Sequence, residues 1–320
     1  MPQTRQPGLL THSNVQIPSF CQRRSAQCCV NYWFLSKTAQ QMNNTALHLS
    51  ENLELAVRAA RAGAAVLQSY AHRRADLLID KKARNDLVSQ ADHEAEAAII
   101  EVLNSNANAF GIIAEESGGT TQETATWYID PLDGTTNFLH GIPHYAVSIA
   151  LVAHRGAIVN GAPIENDTPV VAVVYDPSRE EVFSALYNTG AWLNDHRIQC
   201  SQTKSLAEAL LATGLPFRDF SFTDQYMPTL NEAIHTSRGV RRMGSAALDL
   251  AWTACGRFDG YWEMGLASWD VAAGTLLVRE AGGVAEDLHH KDPWPIGGYV
   301  YAANKSLATT LHTMAAAQLT

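Results

Sequence analysis

No apolar run in this 320-residue sequence approaches the roughly 18–20 residues that a helix needs to span a bilayer, so no membrane partner is expected. An excess of positive charge is missing as well. Twenty-three Lys and Arg face 32 Asp and Glu, a formal net charge of -9, which does not suit broad neutralisation of nucleic-acid phosphates. The five cysteines, at 21, 28, 29, 200 and 255, form no C-x-x-C pair, and their odd number argues against a disulfide framework; a reducing cytoplasm fits best. No repeat of fixed period occurs, which sets aside solenoids and propellers.

Acidic residues are themselves absent from the first fifty positions, which carry Arg5, Arg23, Arg24 and Lys37. The other 270 residues hold 19 basic against 32 acidic side chains, a balance of -13. This composition boundary, together with Pro2, Pro7 and Pro18, marks residues 1–48 as an extension without regular structure. Met42 is an alternative natural start, and the acid-free, Arg- and Ser-containing character is shared by transit peptides.

What remains is 46% hydrophobic over the whole chain and long enough for one large or two modest cores. Leu53, Val57, Ala60, Ala64 and Leu67 recur at helical spacing behind Ser50, a candidate N-cap, and predict a helix from Ser50. A second helix is expected over about 91–104, opening with acidic residues that suit its dipole. Strand-like runs follow at 110–116, 126–131, 145–153, 169–177 and 180–186. Beyond 190 the pattern alternates, with helices expected over about 224–236, 245–256 and 270–281. The reading is an α/β protein with an N-terminal sub-domain over 49–188 and a C-terminal one over 189–320.

The segment Asp130-Pro131-Leu132-Asp133-Gly134-Thr135-Thr136-Asn137 follows a strand and places two carboxylates three residues apart. Such a pair repels itself unless a hard cation such as Mg²⁺ takes both as oxygen ligands. Gly134 permits close backbone approach, and the N–H groups of Gly134 and Thr135 are candidates to face an anion. The same residue types also make an ordinary β-turn. Glu115 ends an apolar strand, Asp270 lies in the first turn of a helix, and Asp92 opens another; the last two positions also suit plain dipole compensation. Histidines are not expected among the ligands: His140 and His144 read as structural or substrate-proximal, His289 and His290 as surface loop. Trp127, Trp262 and Trp269 read as packing beside the motifs.

These segments, A-E-E-S-G at 114–118, W-Y-I-D-P-L-D-G-T-T-N-F at 127–138, G-S-A-A-L-D-L-A at 244–251 and W-E-M-G-L-A-S-W-D-V-A-A-G at 262–274, resemble the inositol monophosphatase family from about Ser50 onward. G-S-A-A-L-D-L-A and the stretch from Gly256 to Glu263 are most similar to its bacterial SuhB-type branch. The resemblance implies a layered αβαβα sandwich, a homodimer, two or three Mg²⁺ ions and inhibition by Li⁺. It assigns Glu115, Asp130, Asp133, Asp270 and the Leu132 carbonyl as metal ligands, and Asp92 to a further ion through water. Gly134 and Thr135 correspond to the phosphate turn; Gly244, Ser245, Ala246, Glu263 and Asp270 fall where the family contacts substrate.

The implied reaction is hydrolysis of myo-inositol 1-phosphate or a similar polyol or sugar monophosphate, with Glu115 and Thr135 orienting the attacking water and Asp133 at the shared metal position. Related sugar bisphosphatases, histidinol phosphatases and 3′-nucleotidases use the same fold. SuhB-type relatives are also associated with RNA polymerase and RNA, for which Arg238, Arg241 and Arg242 are the nearest basic cluster. A dimer interface, or a solvated surface, is the other reading of those three arginines.

Overall fold

The computed structural model describes residues 46–71, 73, 79–83, 86–105, 110–216 and 220–317. Expectations for residues 1–45, including the start at Met42, lie outside them. A two-residue strand, Ala46–Leu47, precedes the first helix.

Helix α1 (Leu49–Ala71) buries Leu55, Ala56, Ala59, Ala60, Gly63, Ala64 and Leu67. The buried stripe is therefore centred on small residues rather than on Leu53 and Val57, which sit half-buried at its margin. Small residues let α2 (Gln90–Leu103) approach closely: a Cβ on Gly63 would lie 2.7 Å from Ile99 Cδ1. Ser50 is exposed inside α1, not at its cap. The His48 carbonyl instead accepts the Asn52 N–H at 3.1 Å and the Asn52 side-chain amide at 3.0 Å. α2 is capped by Ser89, whose hydroxyl accepts the Ala91 N–H at 3.2 Å while Asp92 accepts the Ser89 N–H at 2.9 Å.

The larger sheet contains β1 (Gly111–Ala114), β2 (Gly118–Thr120), β3 (Ala125–Asp133), β4 (Ala146–Ala153), β5 (Thr168–Asp176), β6 (Glu181–Leu186), β7 (Gly190–Leu193) and β8 (His196–Arg197), in spatial order β8-β7-β6-β5-β4-β3-β1-β2. β1 and β3 run parallel, with Ala114 opposite Ile129, so both deliver their C-terminal residues to one edge. The other neighbours are antiparallel. Between Asp130 and Asp133 the register of β3 against β4 slips, which turns the chain out of the ladder where the carboxylates lie.

Alternation along the strands sends Trp127, Ile129, Val147, Ile149, Val171 and Val173 toward α1 and α2. Tyr128, Ala150, Val152, Ala172 and Val174 face the opposite way. They pack on α5 (Ala246–Ala254) and α6 (Ser268–Glu280), residues 270–278 of which are all buried. On the far side of these helices lies a second sheet, β9 (Leu210–Thr213), β10 (Gly239–Arg241), β11 (Gly260–Glu263), β12 (Val284–Asp287) and β13 (Val300–Ala303), ordered β10-β9-β11-β13-β12. Its outer face, with Leu211, Trp262 and Tyr301, is covered by α4 (Thr223–Thr236) and α7 (Ala308–Ala316). The result is the layered αβαβα sandwich. Two α-helices were not anticipated: the five-residue helix α3 (Thr135–Leu139), too short for a periodic signal, and α7, whose buried positions are partly alanine.

Among the described residues no helix is long and apolar enough to cross a membrane. Cys200 and Cys255 are free thiols, and burial pushes the Cys200 thiol up to about 12.

Candidate active site

Several element ends converge on the D-P-L-D-G turn. Asp130, 1% exposed, stays on β3 and accepts the Leu132 N–H at 2.9 Å. Gly134 has φ of 95°, and a Cβ there would meet the His144 and Gly244 carbonyls at 3.1 and 3.2 Å, so the turn requires glycine twice over. Thr135 opens α3. Its hydroxyl lies 3.0 Å from the Leu132 carbonyl and 3.1 Å from Asp92 Oδ1, and donates to one of the two at a time. Asp133 directs Oδ2 at the Ser245 hydroxyl (2.6 Å) and the Ala247 N–H (2.7 Å), both at the start of α5. Asp270 accepts the Ala267 N–H at 2.7 Å at the start of α6.

These acids face one another. Burial holds Asp130 well above the usual carboxylate range, and the charges of Glu115, Asp133 and Asp270 push it further. Burial raises Asp133 to about 6 against the opposing bonds from Ser245 and Ala247, with Glu115 adding to the rise. Asp92 is also raised by burial, opposed by Ser89 and Thr135. Glu115, Asp130, Asp133 and Asp270 therefore form one electrostatic cluster, with Asp92 beside it.

As the side chains stand, no three His, Cys, Asp or Glu among the described residues are arranged as an ion would hold them. The physical reason is visible in the bonds above: Asp92, Asp130, Asp133 and Asp270 each turn one oxygen into a local hydrogen bond. The donor set is nonetheless all oxygen, four carboxylates and the Leu132 carbonyl, which is the chemistry of a hard divalent cation such as Mg²⁺.

On the other side of the turn, Gly244 (φ 87°) leads into Ser245, the N-cap of α5, followed by Ala246. Asn137 ties this segment to the turn at Gly134: its side-chain amide donates to the carbonyls of His144 at 2.8 Å and Met243 at 2.9 Å. Glu263 ends β11, buried, with the Tyr261 hydroxyl donating to it at 2.6 Å. A Cβ on Gly214 would fall 1.8 Å from Glu263 Oε1, so that glycine makes the space the carboxylate occupies. All the residues predicted for metal and substrate thus lie around one turn.

Two acids of this region, Asp249 and Glu96, went unrecognised in the sequence, whereas His144 was read as structural or substrate-proximal. Asp249, 1% exposed, has Oδ1 without a hydrogen-bond partner, and burial with Glu263 and Asp133 pushes it well above the usual range. An acid inside the apolar G-S-A-A-L-D-L-A helix was the available signal. Glu96 is buried on α2 and reaches the Glu115 loop. His144, 2% exposed, packs edge-on against Trp252 with both ring nitrogens unpaired; burial lowers it to about 4, so it is neutral. Arg238, Arg241 and Arg242 are all exposed.

The model of the inositol monophosphatase family matches residues 48–320. A Nus factor SuhB of Escherichia coli is 43% identical over 256 residues, 79% of this chain and 91% of that protein. An inositol-1-monophosphatase of Rhizobium meliloti is 41% identical over 238 residues, 74% of this chain and 85% of the relative. The crystal structure of SuhB from Bartonella henselae superposes with a TM-score of 0.75 at 36% identity, covering 83% of this chain and 98% of the other. The layered fold is that of a phosphatase family, and this chain belongs to the inositol monophosphatase family.

Proposed function

We propose that the protein is a Mg²⁺-dependent phosphomonoesterase acting on a small polyol monophosphate such as myo-inositol 1-phosphate. The observation that carries this reading is the gathering of buried acids at the ends of β3, β1 and α6: burial raises Asp130 and Asp133, Glu115 adds to the rise of both, and Asp133 and Asp270 add to that of Asp130. Buried acids that raise one another bind cations and protons competitively, and a phosphate-ester site needs the former.

When bound, Mg²⁺ supplies neutralisation of the phosphate and a lowered pKa for water. Glu115, Asp130, Asp133, Asp270 and the Leu132 carbonyl are the groups to hold it, with Asp92 at a further position. The chain contributes the rest. The N–H groups of Gly134 and Thr135, at the start of α3, bind phosphate oxygens. Thr135, whose hydroxyl is held by Asp92 and the Leu132 carbonyl, and Glu115 orient a water in line with the leaving group. Glu263, Ser245 and the backbone at Gly244 and Ala246 take the polyol hydroxyls. Water attack predicts no phosphoenzyme.

The test is phosphate release from inositol 1-phosphate and from fructose 1,6-bisphosphate, histidinol phosphate and a nucleoside 3′,5′-bisphosphate, with Mg²⁺ or EDTA. Fastest Mg²⁺-dependent release from the polyol monophosphate supports the reading; faster release from another ester reassigns the substrate, and none from any contradicts it. Inhibition by Li⁺ and a dimeric mass in solution belong to the same proposal, as does a cytoplasmic setting.

The name of the Escherichia coli relative favours one second reading, association with the transcription machinery. Exposed Arg238, Arg241 and Arg242 are the surface to test. Salt-sensitive binding to RNA polymerase or RNA that is lost on replacing all three supports it; no binding at low salt removes it.

A further inference from the structure

Helix α2 carries two buried carboxylates four residues apart, Asp92 at 1% and Glu96 at 3% exposure, so both lie on one face a single turn apart. Asp92 reaches the Thr135 hydroxyl at 3.1 Å. Glu96 reaches the other arm of the site: its two oxygens accept the backbone N–H groups of Glu116 at 2.8 Å and Ser117 at 2.9 Å. On the strand side, the Glu115 N–H donates to the Ile129 carbonyl at 3.1 Å. Three successive peptide groups, 115 to 117, are therefore fixed, two of them by a single side chain.

A buried carboxylate is costly, and turn amides are readily satisfied by water, so folding alone gives little reason to place an acid here. Its neighbours on the helix, Ala91, Ala95 and Ile99, are ordinary core. What the forked contact supplies is orientation. We propose that Glu96 is a positioning residue, which clamps the 115–117 loop so that Glu115 is aimed at the carboxylate cluster before a cation arrives. Through α2 the same helical turn sets Glu115 and, by Asp92, Thr135, the two groups assigned to the attacking water. This role rests on the metal-dependent reading above.

Glu96→Gln keeps size and one acceptor but turns an NH₂ toward one of the two N–H donors. Outer partners of metal ligands are worth roughly 10–100-fold in metal affinity or activity. The expected result is a Mn²⁺ dissociation constant, read by calorimetry without substrate, raised at least about tenfold. The Mg²⁺ concentration for half-maximal phosphate release should rise in parallel, with melting of the metal-free protein changed little. A folded Glu96→Gln protein with a metal constant within about twofold of the parent overturns the proposal. Should that variant not fold, amide exchange on the unaltered protein decides: Glu116 and Ser117 N–H groups are expected to be protected without Mg²⁺, and exchange at the rate of an open turn overturns the clamp. A parent enzyme that binds no Mn²⁺ and needs no Mg²⁺ sinks the functional reading instead, while leaving the amide result to stand by itself.

Discussion

Asp133 and Ser245, 112 residues apart in sequence, are joined by a 2.6 Å hydrogen bond between the turn after β3 and the cap of α5. One hydroxyl thus serves two purposes, because it also accepts the Leu248 N–H of its own helix at 3.4 Å. The site is consequently complete only when α5 is docked against the larger sheet. Ser245→Ala should cost about 1 kcal/mol of stability, the worth of an N-cap, and remove a donor that holds down the pKa of Asp133. The expected outcome is a roughly tenfold lower kcat/KM and an acid limb of the pH profile moved upward. Steady-state rates from pH 5 to 9, alongside thermal melts, check both halves.

The elevated acids set a pH dependence whose sign is fixed. An acid with a folded-state pKa above its unfolded value favours the fold while protonated and loses that contribution as it ionises. For Asp133 the window runs from its ordinary 3.8 to about 6, and Asp130 extends it upward. The metal-free protein should therefore melt at progressively lower temperature as pH rises through that window. Mg²⁺ requires the ionised form, so the stabilisation it brings should be larger at pH 7.5 than at pH 5. Melting curves at the two pH values, with EDTA or Mg²⁺, give the comparison; equal Mg²⁺ shifts at both would contradict it.

Gly214→Ala places a methyl where Glu263 Oε1 now lies, 1.8 Å away, and must displace that carboxylate. Since Glu263 is assigned to the polyol and not to the cation, KM for inositol 1-phosphate should rise about tenfold or more while Mg²⁺ half-saturation stays within about twofold. Kinetics with both ligands varied separate the two.

Gly274, the last residue of the W-E-M-G-L-A-S-W-D-V-A-A-G segment, lets α5 and α6 touch: a Cβ there would lie 2.4 Å from Leu250 Cβ. Gly274→Ala should destabilise the fold by about 1–3 kcal/mol through overpacking, which a denaturant melt reads directly.

Much of this site was legible because its residues occur in short contiguous runs at element ends. Asp130, Asp133, Gly134 and Thr135 share one turn, and Glu115 and Asp270 sit where a strand stops and a helix starts. Glu96 and Asp249 were not legible for the opposite reason: Glu96 is one of several acids along α2 and Asp249 a lone acid in an apolar helix, and only the fold shows that they are buried. Of the stripe expected on α1, Ala60, Ala64 and Leu67 are buried, while the more apolar Leu53 and Val57 lie at the margin because alanine and glycine carry its contact with α2. Ser50 failed as a cap because the helix begins one residue earlier and is closed by the His48 carbonyl. Asp92 was read from its position as an acid suited to the helix dipole and placed near a further metal only by the family resemblance; its bond to Thr135, 43 residues away, depends on tertiary contact that periodicity does not carry.

The most direct test of the metal-site assignment is an anomalous difference map from crystals grown with Mn²⁺ in place of Mg²⁺. The account predicts peaks ligated by Glu115, Asp130, Asp133 and Asp270, with these side chains turned out of their present hydrogen bonds. Well-ordered crystals with no peak at this turn, or with Mn²⁺ bound only elsewhere, would contradict it.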